Sequence, residues 1–168
     1  MSLNTYQAPW GKTLRWVSGL SCLLLLAATL PLIFETRPPA ALWLTAAVCL
    51  ILPGTLLFVI RSYTIEGNEL VIRRLLWTTR LSLAGLQSAE VTPDVMRGSL
   101  RLCGNGGLFS ITGWYRNRAL GNYRAFVTDL KRTVVLRFPA RTIVVSPEAQ
   151  DQFVAEISSF ANHKSSTE

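Results

Sequence analysis

The stretch YRAFVTDLKRTVVLRFPARTIVVSPEAQDQFVAEISSF, residues 123–160, decides the fold, because its hydrophobic period changes part-way along. Tyr123–Thr128 alternates, with Tyr123, Ala125 and Val127 on one face. Asp129-Leu130-Lys131-Arg132 is a turn, and Thr133–Phe138 resumes the alternation with Val134, Leu136 and Phe138. Pro139-Ala140-Arg141 turns again, into Thr142–Val145. A period of two marks a strand with one buried face. Beyond Val145 the period lengthens. Ser146 can cap a helix, Pro147 suits its first position, and Glu148 sits near its positive end. Ala149, Phe153, Ile157 and Phe160 then share a face at helical spacing, so an amphipathic helix of about four turns is expected.

Upstream, the same reading finds more short strands. Glu66-Gly67-Asn68-Glu69 is a turn between Tyr63–Ile65 and Leu70–Trp77. Thr78–Leu83, Ala89–Thr92 and Ser99–Cys103 follow, and Gly104-Asn105-Gly106-Gly107 breaks the last of them. About seven strands and one closing helix argue an α+β domain, an antiparallel barrel or sandwich over 61–161. Residues 162–168 read as a disordered tail.

Ahead of this domain the composition changes. Trp16 to Phe34 is 19 residues without a charge, and Ala40 to Ile60 is 21. As helices these extend roughly 28 and 31 Å, matching a hydrocarbon core of about 30 Å. Soluble helices rarely stay apolar on every side for so long. The link Glu35-Thr36-Arg37-Pro38-Pro39 can only turn the chain back, so 16–60 is expected to be a transmembrane helical hairpin. Trp10, Trp16 and Trp43 suit interfacial belts. Lys12 and Arg15 precede the first span, while Arg61, Arg73, Arg74 and Arg80 follow the second. The positive-inside rule then puts both termini, including segment 1–15, in the cytoplasm of a cell (inner) membrane. Lys12, Arg15 and Ala27-Ala28-Thr29 also have the parts of a cleaved leader, but the apolar run continues past them to Phe34.

The totals narrow the chemistry. Lys and Arg number 17 against 10 Asp and Glu, a net charge of +7 among 168 residues. Mean hydropathy is +0.30, and only 16% of residues are charged. Beside an anchor, the nearest polyanion for a basic domain is lipid, and no nucleic acid is expected. Cys22, Cys49 and Cys103 form no CxxC pair, and His163 is the single histidine, so neither metal nor cofactor is expected. Glu66, Glu69, Glu90, Asp94 and Asp129 are scattered, no serine sits in a nucleophile elbow, and Cys103 has no neighbouring histidine. The expectation is a protein that is not an enzyme.

Gly104-Asn105-Gly106-Gly107-Leu108-Phe109, Gly113-Trp114-Tyr115-Arg116-Asn117 and Leu120-Gly121 carry a family resemblance. So do Tyr123-Arg124-Ala125-Phe126-Val127-Thr128 and Ile143-Val144-Val145-Ser146-Pro147-Glu148 with Phe153-Val154. Together they resemble the bacterial pleckstrin-homology (PH) domain family, in its membrane-anchored form, over about Tyr63 to Phe160. The resemblance implies a PH-like barrel capped by a C-terminal helix, beside a membrane. It implies no catalytic residues.

Two surfaces are candidate binding sites. Trp114, Tyr115, Arg116 and Arg118 mix aromatics with cations, as a rim meeting phosphates or an acidic partner would. Arg73, Arg74 and Arg80 surround Trp77 close to the anchor. Each also has a plain reading, as barrel packing and as a charged sheet edge. Gly104–Gly107 is no Walker loop, since Leu108-Phe109 follows it in place of Gly-Lys-Ser/Thr. The expected role is protein interaction or scaffolding at the membrane face. The alternatives are an anionic lipid headgroup reader, or an accessory subunit of a transport or envelope-assembly complex, with Gly19, Ser21, Ala27 and Ala28 as small-residue contacts.

Overall fold

The structure, a computed structural model, describes residues 4–34, 43, 46–47, 50–51 and 54–162. Strand β1 (Asn4–Gln7) and helix α1 (Lys12–Phe34) come first. Next are β2 (Ile60–Glu66), β3 (Glu69–Arg74), β4 (Thr78–Ser82) and β5 (Ser88–Val91). Then follow β6 (Leu100–Gly106), β7 (Ile111–Asn117), β8 (Gly121–Val127), β9 (Val134–Arg137), β10 (Thr142–Val145) and helix α2 (Gln150–Asn162). One sheet has the order β1-β2-β3-β4, the other β5-β9-β10-β8-β7-β6.

The core lies between the sheets and under α2. Tyr63, Leu70 and Ile72 of the first sheet meet Phe126, Leu136 and Ile143 of the second. Phe153 and Ile157 of α2 are fully buried among them. A second cluster occupies the far face of the six-stranded sheet. There Tyr115, Tyr123, Ala125, Val127 and Val144 pack beneath Leu14 of α1. Burying that leucine contributes roughly 2 kcal/mol to docking the helix.

The sheet departs from the expected antiparallel pattern at one pair. β10 runs parallel to β8, with Val144 opposite Ala125, and antiparallel to β9. The physical reason is burial on both faces. Phe126 faces one cluster while Ala125 and Val127 face the other, and a strand covered on both sides fits a central parallel position.

Three expectations about local structure are corrected. The break at Gly104–Gly107 falls later, because β6 runs through Gly106. Its bulge between Arg101 and Cys103 and two glycines let it continue. A Cβ at Gly104 would lie 2.3 Å from the Thr112 carbonyl oxygen, and one at Gly113 would lie 2.1 Å from that of Cys103. Only glycine permits that approach, at φ of +114° and +141°. Ser146 does not cap α2, which begins at Gln150. Its hydroxyl is fully buried and accepts the Thr128 amide at 2.8 Å. Trp114, Tyr115 and Arg116, for which no strand was expected, lie in the regular strand β7 between β6 and β8.

The N-terminal segment 1–15 is also more than a flank. Its residues 4–7 form β1, which pairs with β2, Tyr6 opposite Tyr63. The Ala8 amide donates to the Arg61 carbonyl, and the Gly11 amide to that of Thr128. The chain then enters α1, whose Ser18 hydroxyl is buried and accepts the Phe109 amide at 2.9 Å.

Among the described residues no helix is long and apolar enough to cross a membrane, so the expected hairpin is not found there. The turn 35–39, positions 40–42, 44–45, 48–49 and 52–53 of the expected span 40–60, and the tail from residue 163 lie outside the described residues. The end of that span is corrected: residues 54–56 are helical, and Ile60 is a buried core residue of β2.

Candidate functional site

A groove of about 540 Å3 opens where the chain leaves residues 54–58 for the first sheet. Its floor is the outer part of the six-stranded sheet. Trp114 of β7 lies between Cys103 of β6 and Arg124 of β8 in register. The Gly104–Gly113 pair lies next along these strands and adds no side chain to the floor. Phe58 and the end of β3, with Arg74, form the opposite side.

Three arginines line this groove, Arg74, Arg101 and Arg124, and among the described residues no acidic one does. Two of them stack on the same ring. The Arg124 guanidinium lies 4.8 Å and that of Arg74 5.5 Å from the centre of Phe126. Arg74 also lies 5.7 Å from the Trp77 ring, which packs edge-on against Phe58 at 5.0 Å. The aromatic faces thus hold two like charges near each other. Burial holds the Arg74 pKa below its ordinary value, and the charge of Arg124 adds to the effect, against a smaller opposing influence of Tyr63. Arg74 Nε is buried without a hydrogen-bond partner. A buried donor left unpaired costs about 1–3 kcal/mol, so this wall is poised for an acceptor.

The eight residues expected to bind divide by position. Arg74 and Trp114 line the groove, and Trp77 supports it. Arg73 pairs with Glu66 at 3.2 Å, and Arg80 bridges Glu66 and Glu69 at 3.1 Å each. These exposed pairs contribute little to stability but occupy both cations. Tyr115 is turned into the second core cluster, stacked on Tyr123, with its hydroxyl donating to the Asn105 carbonyl. Arg116 is exposed near the far end of β7, and Arg118 lies in the turn beyond it. At about 3.3 Å per residue, Arg118 stands on the order of 20 Å along the sheet from the β6–β7 turn that touches α1.

Sequence reasoning missed Arg101, Arg124 and Phe126. Arg124 had a signal: it is the one charge within the apolar strand Tyr123–Val127. Arg101 had none. Its guanidinium lies over Gly106, where a Cβ would come 2.2 Å from Nη1, and only the folded β6 brings it there.

Among the described residues no group of three or more His, Cys, Asp or Glu side chains gathers to hold a metal. The family model described as Bacterial PH domain matches residues 61–160. No curated protein and no solved structure matches the chain.

Proposed function

The chain belongs to the bacterial PH domain family, and from that premise we propose that it is a non-catalytic, membrane-anchored interaction module. In this reading the apolar residues that follow Ser18 in α1 and those that precede Phe58 are held by the bilayer. The PH-like domain rests against the cytoplasmic face, and anionic lipid or a protein partner is engaged there.

The observation that carries the reading is where the helices join the domain. The start of α1 is fixed to the sandwich by Leu14 and Ser18, and then presents Trp16, Leu20 and Leu23 with 79%, 56% and 63% of their surface exposed. Apolar side chains so exposed call for a nonpolar medium. Residues 54–58 meet β2 with only Val59 between them. On the same side, the β3–β4 turn presents Leu76, 73% exposed, beside Trp77 and Phe58. No slack separates the domain from the helix ends, so the groove would lie at headgroup level.

The test is extraction and labelling of the full chain in cells, with Cys22→Ser and Cys49→Ser so that exposed Cys103 reports alone. The chain should resist alkaline carbonate, and Cys103 should react with an impermeant maleimide only once the cytoplasmic face is opened. Release by carbonate, or labelling in intact cells, overturns the reading.

Strand β6 favours protein docking as a second reading. It is the edge of its sheet, with Leu100 and Leu102 72% and 55% exposed. An extended segment of a partner could pair along it. Leu100→Asp with Leu102→Asp should then abolish a specific crosslink seen in cells, and an unchanged crosslink removes this surface from consideration.

A further inference from the structure

Arg74 and Arg124 share the Phe126 ring and, with Arg101, line one groove, and among the described residues no acidic side chain lines it. Beside the groove, Arg73 and Arg80 hold Glu66 and Glu69 instead. Arg74 is half-buried, yet its Nε finds no acceptor. Nothing among the residues lining the groove neutralises the three, and a ring holds two of them in place. Such an arrangement lowers the cost of ordering arginine side chains around an incoming anion.

We propose that the groove binds the phosphate of an anionic membrane lipid headgroup, held between the guanidiniums of Arg74, Arg101 and Arg124. The proposal rests on the membrane-anchored reading above. Planar guanidinium forks match phosphate oxygens in pairs and are less strongly hydrated than ammonium groups, which suits a half-buried site. The volume of about 540 Å3 exceeds one phosphate and admits a headgroup with its glycerol. Phe58, at the end of residues 54–58, forms part of the wall, so lipid beside the second span would reach the groove before any soluble anion. Trp114, 47% exposed, gives the rim an amphipathic ring of the kind that sits at headgroup depth. Free phosphate has the same chemistry, and the experiment separates the two sources.

The test is native mass spectrometry of the full-length chain in detergent, with phosphatidylglycerol or phosphatidylcholine added. Arg74→Gln, Arg101→Gln and Arg124→Gln should each reduce phosphatidylglycerol retention about fivefold, equivalent to about 1 kcal/mol per cation. The triple variant should lose all preference over phosphatidylcholine. Arg116→Gln and Arg118→Gln, at the far end of β7, should change nothing. Full retention by the triple variant, or equal loss from the Arg116 and Arg118 variants, overturns the proposal. Arg→Lys at the three positions keeps the charges and guards against misfolding: it should retain a preference that Gln abolishes, and equal loss with an unchanged melting temperature would also overturn it. Inorganic phosphate is the second arm. Persistence of the lipid adduct in excess phosphate supports the lipid source, and complete displacement overturns it in favour of a free-anion site. Carbonate extraction on the same membranes keeps the two readings apart. Release fails the anchor, whereas an integral chain without lipid preference fails only this site.

Discussion

Replacing Tyr63 with phenylalanine would remove one oxygen from the middle of the sandwich and leave the ring in place. Tyr63 is fully buried. Its hydroxyl donates to the Phe126 carbonyl at 2.7 Å and accepts from the Ser146 amide at 3.3 Å. It therefore ties β2 of one sheet to β8 and the end of β10 in the other. The ring's edge contact with Phe153, 6.4 Å between centres, survives in the Tyr63→Phe variant. What is lost is hydrogen bonding to two buried backbone groups, worth about 2 kcal/mol. The same substitution also changes the pH dependence. Burial pushes the Tyr63 phenol from 10.0 up to about 12, against smaller lowering effects of Ser146, Thr128 and Arg74. A folded pKa above the unfolded one gives stability that is fully present below pH 10.0 and is lost between there and about pH 12. At 1.36 kcal/mol per unit, the wild-type chain loses about 3 kcal/mol across that window, and the variant does not. Tyr6, whose phenol is also raised to about 12, titrates in both proteins and cancels. Urea unfolding of the full chain in detergent, followed by tryptophan fluorescence, should show the variant about 2 kcal/mol weaker at neutral pH. The deficit should close by about pH 12. A neutral-pH change under about 0.5 kcal/mol, or a gap that widens with pH, would refute the reasoning.

Three further outcomes are expected. Gly104→Ala and Gly113→Ala should each cost about 3 kcal/mol or more, because the new Cβ meets backbone at 2.3 and 2.1 Å. Gly98→Ala, at φ +70° with nothing within 4 Å, should cost only about 1 kcal/mol, as thermal melting would show. Chemical denaturation should find Tyr115→Ala destabilised by about 3–5 kcal/mol and Trp114→Ala by under about 1, since neighbours in sequence face opposite sides of β7. Leu14→Ala should cost about 2–4 kcal/mol and speed amide exchange at the Phe109 amide, because the first turns of α1 would loosen from the sheet.

Much of the sandwich was legible because residues 123–160 keep a clear period. The faces Tyr123-Ala125-Val127 and Val134-Leu136-Phe138 are buried as read. Phe153 and Ile157 share the inner face of α2. Illegible were features that depend on a partner strand. Asn4–Gln7 holds one apolar side chain, Tyr6, and becomes a strand only because β2 offers a free edge. Ile60 continues an apolar run in sequence, and nothing local says that β3 will claim it. The PH-like resemblance, resting on the Gly-Gly-Leu-Phe and Gly-Trp-Tyr stretches, is matched by the family assignment over residues 61–160. The candidate site was half legible. Arg74, Trp77 and Trp114 stand out in sequence on two separate surfaces, and Arg101 and Arg124 join them through cross-strand register. Tyr115 shows the limit of reading a motif as one patch: a strand sends alternate side chains to opposite faces.

In the membrane-anchored arrangement proposed above, the β3–β4 turn and the groove beside it would face the bilayer, and the β7–β8 turn would face away. Fluorophores placed by Leu76→Cys or Arg118→Cys in a chain without its native cysteines, in nanodiscs containing brominated lipid, test it most directly. Strong quenching at position 76 and none at position 118 is the predicted result. Equal quenching at both, or quenching at 118 alone, would contradict it.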